Sequence, residues 1–220
     1  MDQPLFAPVP DGVQARLAAL GTRWEYLHPA LYAGEAERRT ATPNHPANTA
    51  GTRAYQEHVR VLREMHIRHE GWKRLLHDRL ELVCNPAKTI AIGVMPGDEA
   101  TGQPGYGPRN LHARGAATER AAENNALQLG LFDPPSKRDE THLEPGEFER
   151  LSKWFLLSYR VQVGETVRIH SELSLPLKVE KGYVVKWQDR IPLPVLEMDG
   201  VRKPDDDEGP GEIDIPIDFR

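Results

Sequence analysis

Between Arg53 and about Arg79 the side chains Tyr55, His58, Leu62, Met65, His69, Trp72 and Leu76 recur every three or four residues, which puts them on one face of a helix. Most of the stability of such a helix comes from packing its apolar stripe on another layer. Arg60, Arg63, Glu64, Arg74 and Asp78 fall on the opposite, solvated face, and Gly71 is a possible interruption. A different period governs residues 167–175, where Val167, Ile169, Leu173 and Leu175 alternate with Arg168, His170, Glu172 and Ser174. That period of two belongs to a strand with one wet face. A chain holding both patterns, with its sheet residues gathered late, is expected to be an α+β protein: a helical N-terminal half packed with a C-terminal antiparallel sheet.

The remaining elements follow from punctuation. Trp24, Tyr26, Leu27, Leu31 and Tyr32 suggest a short helix or packed loop within an irregular, Pro/Ala-rich first fifty residues. Leu80 to Cys84 and Thr89 to Met95 read as two strands turned around Asn85-Pro86. Residues 97–115 form a long Gly/Pro loop, and Thr118 is a candidate N-cap for a helix over 116–132. A linker spans 133–147. A short helix is expected around Phe148 to Phe155, then an antiparallel meander of strands Leu156 to Val163, Val167 to Leu175 and Tyr183 to Trp187, with Ile191 to Leu196 as a weaker fourth. One domain over 1–203 is the expectation, with its helical part over about 1–132, its β part over 148–203 and an acidic tail over 204–220.

Composition excludes several classes. No apolar run is long enough to span a membrane, and Met1-Asp2-Gln3-Pro4 opens no signal peptide, so a cytoplasmic protein without a membrane partner is expected. Cys84 is the single cysteine and cannot form an internal disulfide. The net charge of −5 hides a tail with seven acids against Arg220 alone; the rest is near neutral, and no basic footprint announces a nucleic-acid binder.

Few residues suggest chemistry. The 97–115 loop offers Arg109, His112 and Arg114 as candidates for phosphate or nucleic-acid contact, with Asp98 or Glu99 as carboxylates. Its glycines match no phosphate motif: Gln103 and Pro104 stand where a Walker A loop requires Lys and Ser/Thr, and Asn110 replaces the third glycine of a dinucleotide site. With few apolar side chains to pin it, the loop is expected to order only on contact with a partner or a polyanion. His58, His66, His69 and His77 share one arc of the long helix, but at about 1.5 Å rise per residue only His66 and His69 could meet one ion. Two ligands do not make a metal site, so neither a metal nor a cofactor is expected, and catalytic residues remain unknown.

Gln128-Leu129-Gly130-Leu131-Phe132 carries the most specific signal. It resembles the Gln-Leu-x-Leu-Phe peptide with which bacterial DNA-metabolism proteins grip the replication sliding clamp. The resemblance covers these five residues and implies a clamp as partner, with Leu129, Leu131 and Phe132 entering an apolar pocket and Gln128 fixing register. The alternative for the same residues is a helix end packed in the core, since Ala122, Ala126 and Leu129 keep helical spacing. At the C-terminus, Ile213, Ile215, Ile217 and Phe219 alternate with Asp214, Pro216 and Asp218, the pattern of an edge strand docking on this sheet or a partner's. The sequence thus supports a non-enzymatic accessory or adaptor protein in bacterial DNA metabolism. The competing readings are an enzyme acting on nucleotide or nucleic acid through the 97–115 loop, and a structural subunit of an unrelated assembly.

Overall fold

The computed structural model describes residues 9–77, 79–105, 107–111 and 141–199. Three helices come first: α1 (Asp11–Ala19), α2 (Trp24–Arg38) and α3 (Thr49–Glu70). Strands β1 (Lys73–His77), β2 (Leu80–Cys84) and β3 (Ile90–Pro96) follow, then a one-turn helix α4 (Glu147–Arg150) and strands β4 (Ser152–Val163), β5 (Thr166–Glu180), β6 (Tyr183–Pro192) and β7 (Leu196–Asp199). The fold is α+β, as the sequence indicates. All seven strands form one sheet in the order β1-β2-β3-β4-β5-β6, and β7 pairs with the opening residues of β5 beyond the end of β6. The expected meander is present as β4-β5-β6. It is joined to the earlier strands by a parallel pair, β3 with β4, which makes the sheet mixed.

The long helix stops nine residues before the point that its periodicity suggests. Gly71 takes φ 66°, a left-handed conformation that costs glycine little, and its N–H returns to the His66 carbonyl. Lys73–His77 then pair with β2, so Trp72 and Leu76 lie outside α3. Arg63 also departs from expectation: its guanidinium donates to the Leu82 carbonyl at 3.1 Å and to Glu81 at 2.6 Å, bolting α3 onto β2. Where α2 crosses α3, a Cβ on Gly34 would stand 2.0 Å from the His58 ring, so the bare backbone sets how closely the two helices approach. The expected helix over 148–155 is confined to α4, because from Ser152 onward the chain is held in register with β3.

Both faces of the sheet are buried. Residues pointing to one side, among them Ile92, Val94, Trp154, Leu156, Ile169, Leu173 and Ile191, pack beneath the helices with Leu17, Leu27, Leu31 and Leu62. Those pointing to the other side, including Leu82, Ala91, Met95, Phe155 and Leu157, pack with Phe148 and Leu151 from the α4 region and with Val179 and Val184 of the β5–β6 hairpin. This is why Trp154-Phe155-Leu156-Leu157 is continuously apolar: each face takes every second residue. Glu35 on α2 ties the helical layer to the sheet. Its buried carboxylate accepts from Arg39 at 3.0 Å and from the Arg160 Nε at 3.1 Å.

Turn chemistry fixes two hairpins. The Asn85 side chain accepts from the N–H groups of Thr89 and Ile90 at 2.8 and 3.0 Å, closing β2 onto β3. Between β5 and β6, Lys181 and Gly182 have φ of 52° and 80°, both positive as the tight primed turn requires.

Candidate functional site

The described part of the 97–115 loop is fastened to the sheet by polar bonds. Gly97 pairs with Asn110, and its N–H reaches the Ser158 carbonyl at 2.9 Å. Asp98 accepts from the N–H of Ala100 at 3.2 Å and of Arg109 at 3.0 Å, which turns the chain back on itself. The buried Asn110 amide imitates a strand residue: it donates to the Gly182 carbonyl and accepts from the Val184 N–H, each at 2.8 Å. The Trp187 indole donates to the Pro108 carbonyl at 2.7 Å. This corrects the expectation of a loop ordered only by a partner. Counting apolar side chains overlooked that side-chain amides and carboxylates can pin backbone.

At the base of the loop lies an ion pair between a fully buried Glu172 and a half-buried Arg190. Glu172 accepts four hydrogen bonds: Arg190 Nε at 2.9 Å, Arg190 Nη2 at 2.6 Å, the Ser174 hydroxyl at 2.6 Å and the Gly102 N–H at 2.8 Å. Arg190 Nη2 also donates to the Gln103 carbonyl at 3.1 Å. The Glu172 carboxylate is therefore engaged in holding the loop. Asp98 is similarly occupied, and Glu180 pairs with Lys178 at 2.5 Å. Arg109 is exposed on the outer limb of the loop. His112 and Arg114 lie outside the described residues, as do Gln128, Leu129, Leu131 and Phe132, and Ile213, Ile215, Ile217 and Phe219.

The histidines separate. His66 is buried; its Nδ1–H donates to the Leu62 carbonyl at 2.7 Å and its Nε2 accepts from the Thr22 hydroxyl at 2.8 Å. Burial holds its pKa down to about 4, so it is a neutral imidazole near neutral pH. Burial lowers His58 to about 4 as well, against Gly34. His69 stacks on Tyr26 at 5.3 Å and His77, on β1, stacks on Phe148 at 3.7 Å. Among the described residues no group of three His, Cys, Asp or Glu side chains is placed to hold a metal ion. Cys84 is buried and its thiol is pushed up to about 11, which leaves little thiolate for reaction.

The sequence pattern did not reveal a hollow beside these elements. Phe155 with Ser174 is the last β4–β5 pair at this end, although β4 extends back to Ser152 and β5 continues to Glu180. Pro176 lacks an N–H for a ladder, and the β5–β6 register shifts around it. The distal hairpin consequently leaves β4, and the gap is a cavity of about 300 Å³ walled by Met95, Leu151, Phe155, Leu175, Val179 and Val184, with Lys153 in the wall and Glu149, Arg150 and Gln188 at its polar side. Lys153 is 7% exposed; its amine donates to the Phe148 carbonyl at 2.6 Å and lies 4.5 Å from the centre of the Phe148 ring. Burial pushes its pKa below the usual lysine value, with exposed Glu149 acting weakly in the other direction. A lysine within the apolar run Leu151 to Leu157 was the available signal. Its meaning depended on α4 supplying the acceptor.

Comparisons with protein-family models, with curated proteins and with solved structures found no match. Among the described residues no helix is long and apolar enough to cross a membrane.

Proposed function

We propose that the protein is a non-enzymatic adaptor in bacterial DNA metabolism that docks on the replication sliding clamp through Gln128, Leu129, Leu131 and Phe132. The observation that carries this reading is the Gln-Leu-x-Leu-Phe sequence together with its position in the chain. It falls within the connection between parallel strands β3 and β4, whose two ends are tied to the body. The Leu111 N–H donates to the Pro96 carbonyl at 3.0 Å, and the Thr141 N–H to the Arg74 carbonyl at 2.7 Å. A grip sequence carried between two fixed points suits a protein that holds one partner while presenting its body to another. The use of Glu172, Asp98 and the histidines in structural contacts favours a binding role over the enzyme reading. Ile213, Ile215, Ile217 and Phe219 would form a second docking element.

Leu131→Ala combined with Phe132→Ala tests the proposal. Burying Leu129, Leu131 and Phe132 should yield roughly 1.5–3 kcal/mol each before ordering costs, giving an affinity for the host's clamp on the order of micromolar. The double variant is expected to lose that binding, measured by titration calorimetry, with an unchanged melting temperature. A fall in melting temperature would assign the two side chains to the core, and absence of binding by the unaltered protein would end the clamp reading.

A further inference from the structure

Lys153 presents a chemical imbalance. A lysine ammonium has three N–H donors, and burying it is costly unless they are matched. Among the described residues the Phe148 carbonyl accepts from this amine and the Phe148 ring lies against it, while the exposed Glu149 acts on it only from beyond ion-pair distance. The same side chain forms part of the wall of the 300 Å³ cavity. The rest of that wall combines apolar side chains (Met95, Leu151, Phe155, Leu175, Val179, Val184) with a polar side at Glu149, Arg150, Ser152 and Gln188, and the volume is at the lower end of the range for small-molecule sites.

We propose that this cavity binds a small carboxylate with an apolar body. The carboxylate pairs with Lys153, and the chain lies on Met95, Phe155, Leu175, Val179 and Val184. An anion, unlike a neutral polar group, supplies both acceptors and countercharge to the buried amine. Arg150, exposed near the opening, adds to the attraction, while Glu149 opposes it; the deeper amine decides the sign. The cavity results from the departure of the Pro176 hairpin from β4, so its shape is built into the ladder. The proposal does not rest on the clamp reading.

Octanoate and its uncharged analogue 1-octanol, titrated into the full-length protein, separate charge recognition from simple filling of an apolar space. Octanoate is expected to bind at one site, and Lys153→Met to weaken it at least tenfold while leaving 1-octanol unchanged. No saturable octanoate binding, or equal binding of octanoate by the Lys153→Met and unaltered proteins, would overturn the proposal. If Lys153→Met fails to fold, the unaltered protein decides: octanoate methylene protons should show nuclear Overhauser contacts to the Met95 and Val184 methyl groups. Contacts from residues of the protein's own 112–140 or 200–220 stretches to those methyls, persisting at saturating octanoate, would show a cavity filled by the chain itself and refute the site.

Discussion

Arg190→Met is expected to destabilise the fold by about 3–5 kcal/mol, the range for removing one member of a buried ion pair. The loss comes mainly from what remains. Glu172 has no exposed surface, and without the guanidinium it would be left with only the Ser174 hydroxyl and the Gly102 N–H as donors. Arg190→Met with Glu172→Leu should recover much of the loss, because an apolar pair of similar volume leaves no buried charge. Urea unfolding of both variants measures this. Amide exchange at Gly102 and neighbouring loop residues should accelerate in the single variant, since Glu172 and Arg190 together fasten Gly102 and Gln103. A single-variant loss below about 1 kcal/mol would show that the pair does not hold the loop.

Acid should weaken the protein through His66. Its folded pKa of about 4 lies below the ordinary value of 6.5, so between those pH values the unfolded chain binds a proton that the folded chain refuses. The contribution is fully present above pH 6.5, is lost progressively as pH falls toward 4, and is gone below it. At 1.36 kcal/mol per pKa unit the full loss is about 3 kcal/mol. The cause is local: Leu62 and Thr22 use both ring nitrogens of the neutral form, and a second ring proton would face the Thr22 hydroxyl in a site closed by Tyr26 and Trp72. His66→Gln should therefore lose less stability than the unaltered protein between pH 7 and pH 4, measured by denaturant titration. Parallel losses in the two proteins would exclude His66 as the sensor.

The class of fold was legible because it rests on periodicity. The α3 stripe and the β5 alternation are local, and each specifies its own element. The end of α3 was ambiguous, because Trp72 and Leu76 continue a helical spacing while belonging to a strand; the pairing of Lys73 with Cys84 decides against the helix. The parallel β3–β4 pair could not be read, since it joins residues 62 apart, such as Ile92 and Trp154, and nothing near either one records the other. The same holds for the cavity. Lys153, Phe148 and Pro176 are ordinary residues until the sheet brings them to one place. Asn110 was read only as a missing glycine, although its amide holds the loop to the hairpin.

The β3–β4 junction also divides the molecule. Among the described residues the part up to β3 comprises three helices and three strands and the part from β4 onward the remaining four strands, and seven register pairs from Ile90 with Ser152 to Pro96 with Ser158 join the halves. Both apolar clusters draw side chains from each half. Covalent continuity through residues 112–140 is thus one of several bonds between the pieces, and a nick there would leave a two-part protein held by shared ladder and core. For a genetic engineer this is a split site: two separately expressed fragments, neither of which closes the sheet alone, have a complementary surface through which to find each other.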